Sequence, residues 1–168
     1  LVVSEWAPAG DVDWRRGSCE AASFDAAALS VMQDAGTERA LYLHRPPGPE
    51  DAAFRTWAQL PATEVARQLP AGVPSLWATA ASDADRTSVL VSQWWTRLED
   101  ALDRTVPLRI DGLADGTYDL TVEWIGQGHP VAPGRLERTV QVVGGTVELG
   151  DPIPLPGQAL ARVDLRRA

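Results

Sequence analysis

The stretch LWATAASDADRTSVLVSQWW, residues 76–95, decides the fold. Its two apolar-rich halves, Leu76–Ala81 and Thr87–Trp95, flank Ser82-Asp83-Ala84-Asp85. Four small or acidic residues between two such runs close a polar turn, so the segment reads as a β-hairpin. Toward the C-terminus the period of two continues. Val106 to Ile110 alternates apolar with polar residues, and Asp111 to Gly116 supplies a turn. Tyr118, Leu120, Val122 and Trp124 then share one face of a strand. Leu136–Val143 and Thr146–Leu149 flank Gly144-Gly145, a second hairpin signal. Leu160, Val163 and Leu165 belong to a last strand whose uneven spacing requires either a bulge or burial on both faces. Short strands at this spacing imply an all-β antiparallel sandwich over residues 73–168.

Toward the N-terminus the composition changes near residue 72. Leu1-Val2-Val3 is a brief apolar run that ends in Ser4-Glu5-Trp6, followed by a polar loop from Ala7 to Gly17. From Glu20 to Gln33 apolar residues recur at helical spacing (Ala21, Phe24, Ala28, Val31, Met32), with Gly36 placed as a C-cap. Ala40-Leu41-Tyr42-Leu43-His44 is a second short strand, closed by Pro46-Pro47-Gly48-Pro49. A second helix is expected from Asp51 to Leu60, and a further helical segment from Ala62 to Leu69. Strand, loop, helix, strand, loop, helix is the alternation of a parallel βα sheet, so residues 1–72 read as α/β.

The chain has 168 residues, with 15 arginines against 23 carboxylates and a net charge of −8. An acidic surface disfavours nucleic acid and anionic membranes as partners, because both require a basic face. No apolar run approaches the roughly 18 residues of a membrane span. The single cysteine, Cys19, excludes an intrachain disulfide and a cysteine-rich zinc site. Cys19 precedes a helix, where a thiolate can be favoured, but no histidine is paired with it in sequence. The same composition fits a cytoplasmic and an exported protein alike. No phosphate-binding glycine loop, dinucleotide fingerprint, zincin helix or nucleophile elbow is present, and no cofactor or metal is expected. Asp11/Asp13 and Asp83/Asp85 lack the rest of a calcium loop.

One position holds either an ion-paired structural carboxylate or a catalytic one. Glu5 stands where a buried apolar strand ends, and in βα architectures strand C-termini face the active site. His44 ends the second strand on the same side; it is either a loop residue or part of the same pocket. His129, in a Gly-rich stretch, reads as a loop residue. Seven tryptophans against two phenylalanines and two tyrosines is an unusual ratio, and an indole suits stacking on sugar rings as well as core packing. Trp6 and Trp14 flank Glu5 and its loop. Trp77, Trp94, Trp95 and Trp124 fall in the strand region and read mainly as core.

The order of elements resembles the C-terminal portion of clan A glycoside hydrolases, most closely family 39, which holds β-xylosidases and α-L-iduronidases. Val3-Ser4-Glu5-Trp6 stands where that family's seventh barrel strand carries the catalytic nucleophile. Ala21–Ala35 corresponds to its next helix, Ala40–His44 to its eighth strand, and Phe54–Pro61 to its closing helix. Ala78–Trp94 resembles the opening hairpin of the family's β-sandwich. Val106–Trp124 resembles its strand, Gly-Leu turn and tyrosine-bearing strand, and Leu155–Leu160 its final approach to the last strand. The resemblance implies that residues 1–72 are the last βα units of a (β/α)8 barrel and residues 73–168 an accessory sandwich. It further implies retaining hydrolysis with Glu5 as nucleophile and Trp6, Trp14, Tyr42 and His44 around a carbohydrate substrate. The acid/base residue of such barrels sits in an Asn-Glu motif, and this sequence contains no asparagine. The expected partners are therefore the sugar and the missing N-terminal barrel portion, and the chain alone is expected to be inactive. The competing expectation is a non-catalytic carbohydrate-binding or structural sandwich, with Trp94, Trp95 or Trp124 as an exposed sugar platform.

Overall fold

The computed structural model describes residues 1–6, 17–42, 48–126 and 129–168. The first strand, β1 (Val2–Trp6), leads to helix α1 (Cys19–Asp34), strand β2 (Arg39–Tyr42) and helix α2 (Gly48–Ala58). Eight strands follow: β3 (Thr63–Glu64), β4 (Leu76–Ser82), β5 (Arg86–Gln93), β6 (Arg104–Asp111), β7 (Gly116–Gly126), β8 (His129–Val142), β9 (Thr146–Leu155) and β10 (Ala159–Arg167). They form mostly antiparallel sheet. Six strands lie in the order β3-β4-β5-β10-β7-β8, and β6 pairs with β9 in a separate antiparallel pair. Strands β1 and β2 form a two-stranded parallel sheet.

The main core lies between the six-stranded sheet and the β6–β9 pair. Leu120, Val122, Val163 and Leu165 from the first meet Val147, Leu149, Ile153 and Leu155 from the second. The hairpin at residues 76–95 forms as its sequence predicts. The Asp83 carboxylate accepts the backbone N–H groups of Asp85 and Arg86, at 3.0 and 2.8 Å, which fixes the turn. Tyr118 closes the turn before β7 in a similar way, donating its hydroxyl to the Ala114 carbonyl at 3.0 Å.

The uneven spacing in the last strand is resolved by burial on both faces. β10 runs in unbroken register between β5 and β7. Ala159, Ala161, Val163 and Leu165 face the main core, whereas Leu160 packs with Ala22 and Ala26 of α1 and Ala53 of α2. The helices therefore cover the outer face of the six-stranded sheet, and the described molecule has three layers: helices, large sheet, small sheet.

Three sequence expectations are corrected. Residues 62–69 are not helical. Thr63 and Glu64 pair with Ser82 and Ala81 of β4, and the Val65 N–H donates to Ala80 at 3.0 Å. The free edge of β4 offers hydrogen bonds that a short segment between Pro61 and Pro70 cannot make for itself as a helix. His129, expected in a loop, opens β8. The apolar stripe predicted for α1 is not its most buried face either. Val31 is 50% exposed, while Ala22, Ser23, Asp25 and Ala26 are within 2% of complete burial. Small residues win because the helix lies close on the sheet and bonds to it. Ser30 donates to the Ala78 carbonyl at 2.9 Å and accepts from Thr79 at 3.0 Å, and Ser92 donates to the Ser23 carbonyl at 2.5 Å. The helix ends as expected at Gly36 (φ +64°), with Thr37 N–H bonded to Met32 and Gly36 N–H to Gln33, the Schellman pattern.

Helix α2 is tied down by arginines. Arg86 donates to the Gln59 carbonyl just past the helix end at 2.9 Å and pairs with Asp164 at 2.7 Å. Arg162 pairs with the same aspartate at 2.9 Å and with Glu123 at 3.0 Å.

Candidate functional site

The site is built on the parallel pair. Val2 lies opposite Arg39 and Val3 opposite Ala40, but Trp6 lies opposite Tyr42. β1 thus uses one residue more than β2 between those two pairs, and the extra residue falls at Ser4–Glu5. A bulge interrupts the ladder locally and re-aims the chain, a device common beside active sites. Glu5 accordingly stands at an irregularity in the C-terminal half of a parallel strand that is followed by a helix.

Around that strand end, three rings interlock. Trp6 meets Tyr42 edge-on at 4.8 Å between centroids, Tyr42 meets Phe54 edge-on at 4.8 Å, and Trp6 meets Phe54 at 5.8 Å. Edge-to-face pairs at this spacing stabilise by about 0.5–1.5 kcal/mol beyond their buried area. Phe54 comes from α2, so the cluster joins both strands to that helix. The Tyr42 hydroxyl donates to Oδ2 of Asp25 at 3.2 Å, and Asp25 is completely buried on α1. The Trp6 indole N–H is buried without a hydrogen-bond partner. Of the sequence-predicted site residues, the structure brings Trp6, the chain neighbour of Glu5, together with Tyr42; the Glu5 side chain lies outside the described atoms. Trp14 and His44 lie outside the described residues. Phe54 and Asp25 were not foreseen. The only trace of Asp25 in the sequence is one carboxylate within the small-residue stretch Ala21–Ala28.

The remaining tryptophans are half-buried and packed. Trp94 meets Phe24 of α1 edge-on at 5.1 Å and Trp77 at 6.3 Å. Trp95 has the Arg104 guanidinium 5.7 Å from its ring centroid. Trp124 lies over Gly134 on the neighbouring strand. Burial, with the Glu20 carboxylate as a second cause, pushes the Cys19 thiol up to about 11, which opposes the thiolate a nucleophile needs. Among the described residues no group of three His, Cys, Asp or Glu side chains is placed to hold a metal ion, and no helix is long and apolar enough to cross a membrane. A cleft of about 300 Å³ lies between α2 and the sheet, where Arg55, Thr56, Gln59, Glu123 and Arg162 line it. Arg162 bonds both Gln59 and Glu123, so the polar groups there largely satisfy one another.

No family model and no curated protein matches the chain. Solved structures do. The chain is similar to the GH39 enzyme from Xanthomonas axonopodis pv. citri, at 19% identity and a TM-score of 0.72, over 98% of this chain and 44% of that one. It is similar to the bacterial orthologue of human α-L-iduronidase, at 13% identity and a TM-score of 0.75, over 94% of this chain and 40% of that one. It is also similar to a GH30 endoxylanase from Clostridium papyrosolvens C71, at 9% identity and a TM-score of 0.62, over 100% of this chain and 42% of that one. The fold neighbours are thus clan A glycoside hydrolases, and the chain spans less than half the length of each of these structures. At these identities the likeness is one of fold.

Proposed function

We propose that this chain is the C-terminal part of a retaining glycoside hydrolase, β-xylosidase-like in its reaction. In this reading residues 1–72 are the last βα units of a (β/α)8 barrel, residues 73–168 are its accessory β-sandwich, and Glu5 is the nucleophile. The observation that carries the reading is the bulge at Ser4–Glu5 in a parallel strand joined through α1 to the next, within a fold shared over 98% of the chain with a GH39 enzyme. Strand C-termini are where barrel enzymes place their catalytic groups.

The reaction proceeds in two displacements. The Glu5 carboxylate attacks the anomeric carbon while an acid protonates the departing glycosidic oxygen. The same second residue then deprotonates the water that releases the sugar from Glu5. Such carboxyl pairs stand about 5–5.5 Å apart. The second carboxyl would come from the rest of the barrel, which is this chain's first partner; the carbohydrate is the other. In this reading Trp6, Trp14, Tyr42 and His44 surround Glu5 as sugar contacts, Tyr42 through its ring alone, because its hydroxyl is bonded to Asp25.

The test is an assay of the full-length polypeptide carrying this chain on a panel of aryl β-xylosides, β-glucosides and α-L-iduronides. Turnover of at least one substrate is expected. Glu5→Ala should then lower kcat by at least about 10⁴-fold, the scale of losing a catalytic nucleophile, and azide should restore leaving-group release. The isolated 168-residue chain should release none. Parental turnover in Glu5→Ala, or turnover by the isolated chain, would refute the proposal.

A further inference from the structure

Asp25 is a fully buried carboxylate on a helix face of alanines and serines. Taking a carboxylate out of water costs several kcal/mol unless partners compensate for it, so Asp25 and the groups that hold it are bound tightly to one another. Its Oδ2 accepts the Tyr42 hydroxyl at 3.2 Å across 17 residues of sequence. Tyr42 is the residue opposite Trp6 in the parallel pair, and its ring meets the Trp6 ring edge-on at 4.8 Å. Trp6 directly follows Glu5. A continuous set of contacts therefore runs from α1, through β2, to the C-terminal side of the bulge in β1. Within a bulge the ladder is disrupted and the extra residue is unpaired, which leaves side-chain packing on its flanks to hold the local backbone.

We propose that Asp25 is a positioning residue for Glu5, acting through Tyr42 and Trp6; this rests on the reading of Glu5 as nucleophile. The Asp25 carboxylate holds the Tyr42 ring, Tyr42 and Phe54 hold Trp6, and Trp6 anchors the end of the bulge that carries the reacting group. Displacement at an anomeric carbon requires the attacking oxygen in near-attack geometry, where a misplacement of about 1 Å costs about 10²-fold in rate. Asp25 touches neither substrate nor reacting atoms, so its loss should appear in kcat and not in binding.

The experiment uses the full-length polypeptide and whichever aryl glycoside it turns over. Asp25→Asn and Tyr42→Phe should each lower kcat by about 10- to 100-fold with KM within about threefold of the parent. The double variant should fall no further than the worse single one, because both act on the same hydrogen bond: Tyr42→Phe removes its donor and Asp25→Asn the charge that strengthens it. Tyr42→Phe keeps the ring and its packing, so it reports on the bond even where Asp25→Asn fails to fold. Parental kcat in folded Tyr42→Phe, a raised KM at unchanged kcat, or additive losses in the double variant would overturn the positioning role. The two ideas fail separately. Activity that survives Glu5→Ala removes the nucleophile itself, whereas activity lost in Glu5→Ala but kept in Tyr42→Phe removes only the link to Asp25.

Discussion

Trp124 and Gly134 face each other across β7 and β8, and the indole occupies the space where a Cβ at position 134 would stand. Glycine is required there by that close approach. Gly134→Ala should push the indole off the sheet and lower stability by about 1–3 kcal/mol, the usual cost of overpacking. A fall in the urea midpoint at unchanged slope would show it; an unchanged midpoint would mean that the ring swings aside freely. The same scale separates what the sequence reveals about the site from what it hides. Glu5 stands out because a carboxylate follows an apolar run, Trp6 because it flanks Glu5, and Tyr42 through the family resemblance alone. Asp25 and Phe54 leave no such mark. Asp25 looks like a solvent-facing helix carboxylate, since helices carry such residues routinely. Only the position of Tyr42 on a different element shows that it points inward. Phe54 reads as one apolar residue in a short helix, and its two ring partners lie on separate strands.

Helix α1 shows why periodicity finds an element more readily than the face it buries. Its existence and its glycine stop were both legible, from the spacing of apolar residues and from Gly36. Its buried side was not, because hydropathy weighs Phe24, Val31 and Met32 above alanine and serine. Distance to the sheet reverses that order: only small side chains fit beneath a helix whose Ser30 hydroxyl bonds the β4 backbone. The hairpin at 76–95 is legible for the opposite reason, since turn chemistry and strand pairing are both local. Residues 62–69 look helical in isolation because their pairing partner, the β4 edge, is not visible in their own sequence. Strands β1 and β2 pair only with each other among the described residues, but α1 is bonded to the large sheet at Ser23 and Ser30. Amides at residues 22–30 should therefore exchange with solvent as slowly as those of β5 and β10, while those of β1 and β2 exchange earlier. Native-state hydrogen exchange decides this, and equal rates in α1 and β1 would contradict the docking described here.

At the scale of the molecule, the parallel pair is the exposed part. Leu1, just before β1, Val2 and Leu41 are 68%, 59% and 54% exposed, and the outer edges of β1 and β2 have no described neighbour. Parallel strands are ordinarily covered on both faces, and open apolar edges recruit further strands. The isolated chain should self-associate, and Leu41→Lys should shift it toward monomer in sedimentation velocity at equal concentration. A monomer before the substitution would show that these edges do not recruit. The large sheet carries a different consequence. Its innermost pairing depends on β10, which lies between β5 and β7 yet is the last strand in the sequence. During synthesis β5 and β7 emerge well before the strand that joins them. Until residues 159–167 have left the ribosome, the β4–β5 and β7–β8 hairpins are two separate ribbons, each with an open apolar edge. Closure of this sheet is therefore timed by translation: a ribosome that stalls near the end of this stretch would hold an unfinished and adhesive product, whereas one that finishes it lets the last strand lock both ribbons at once.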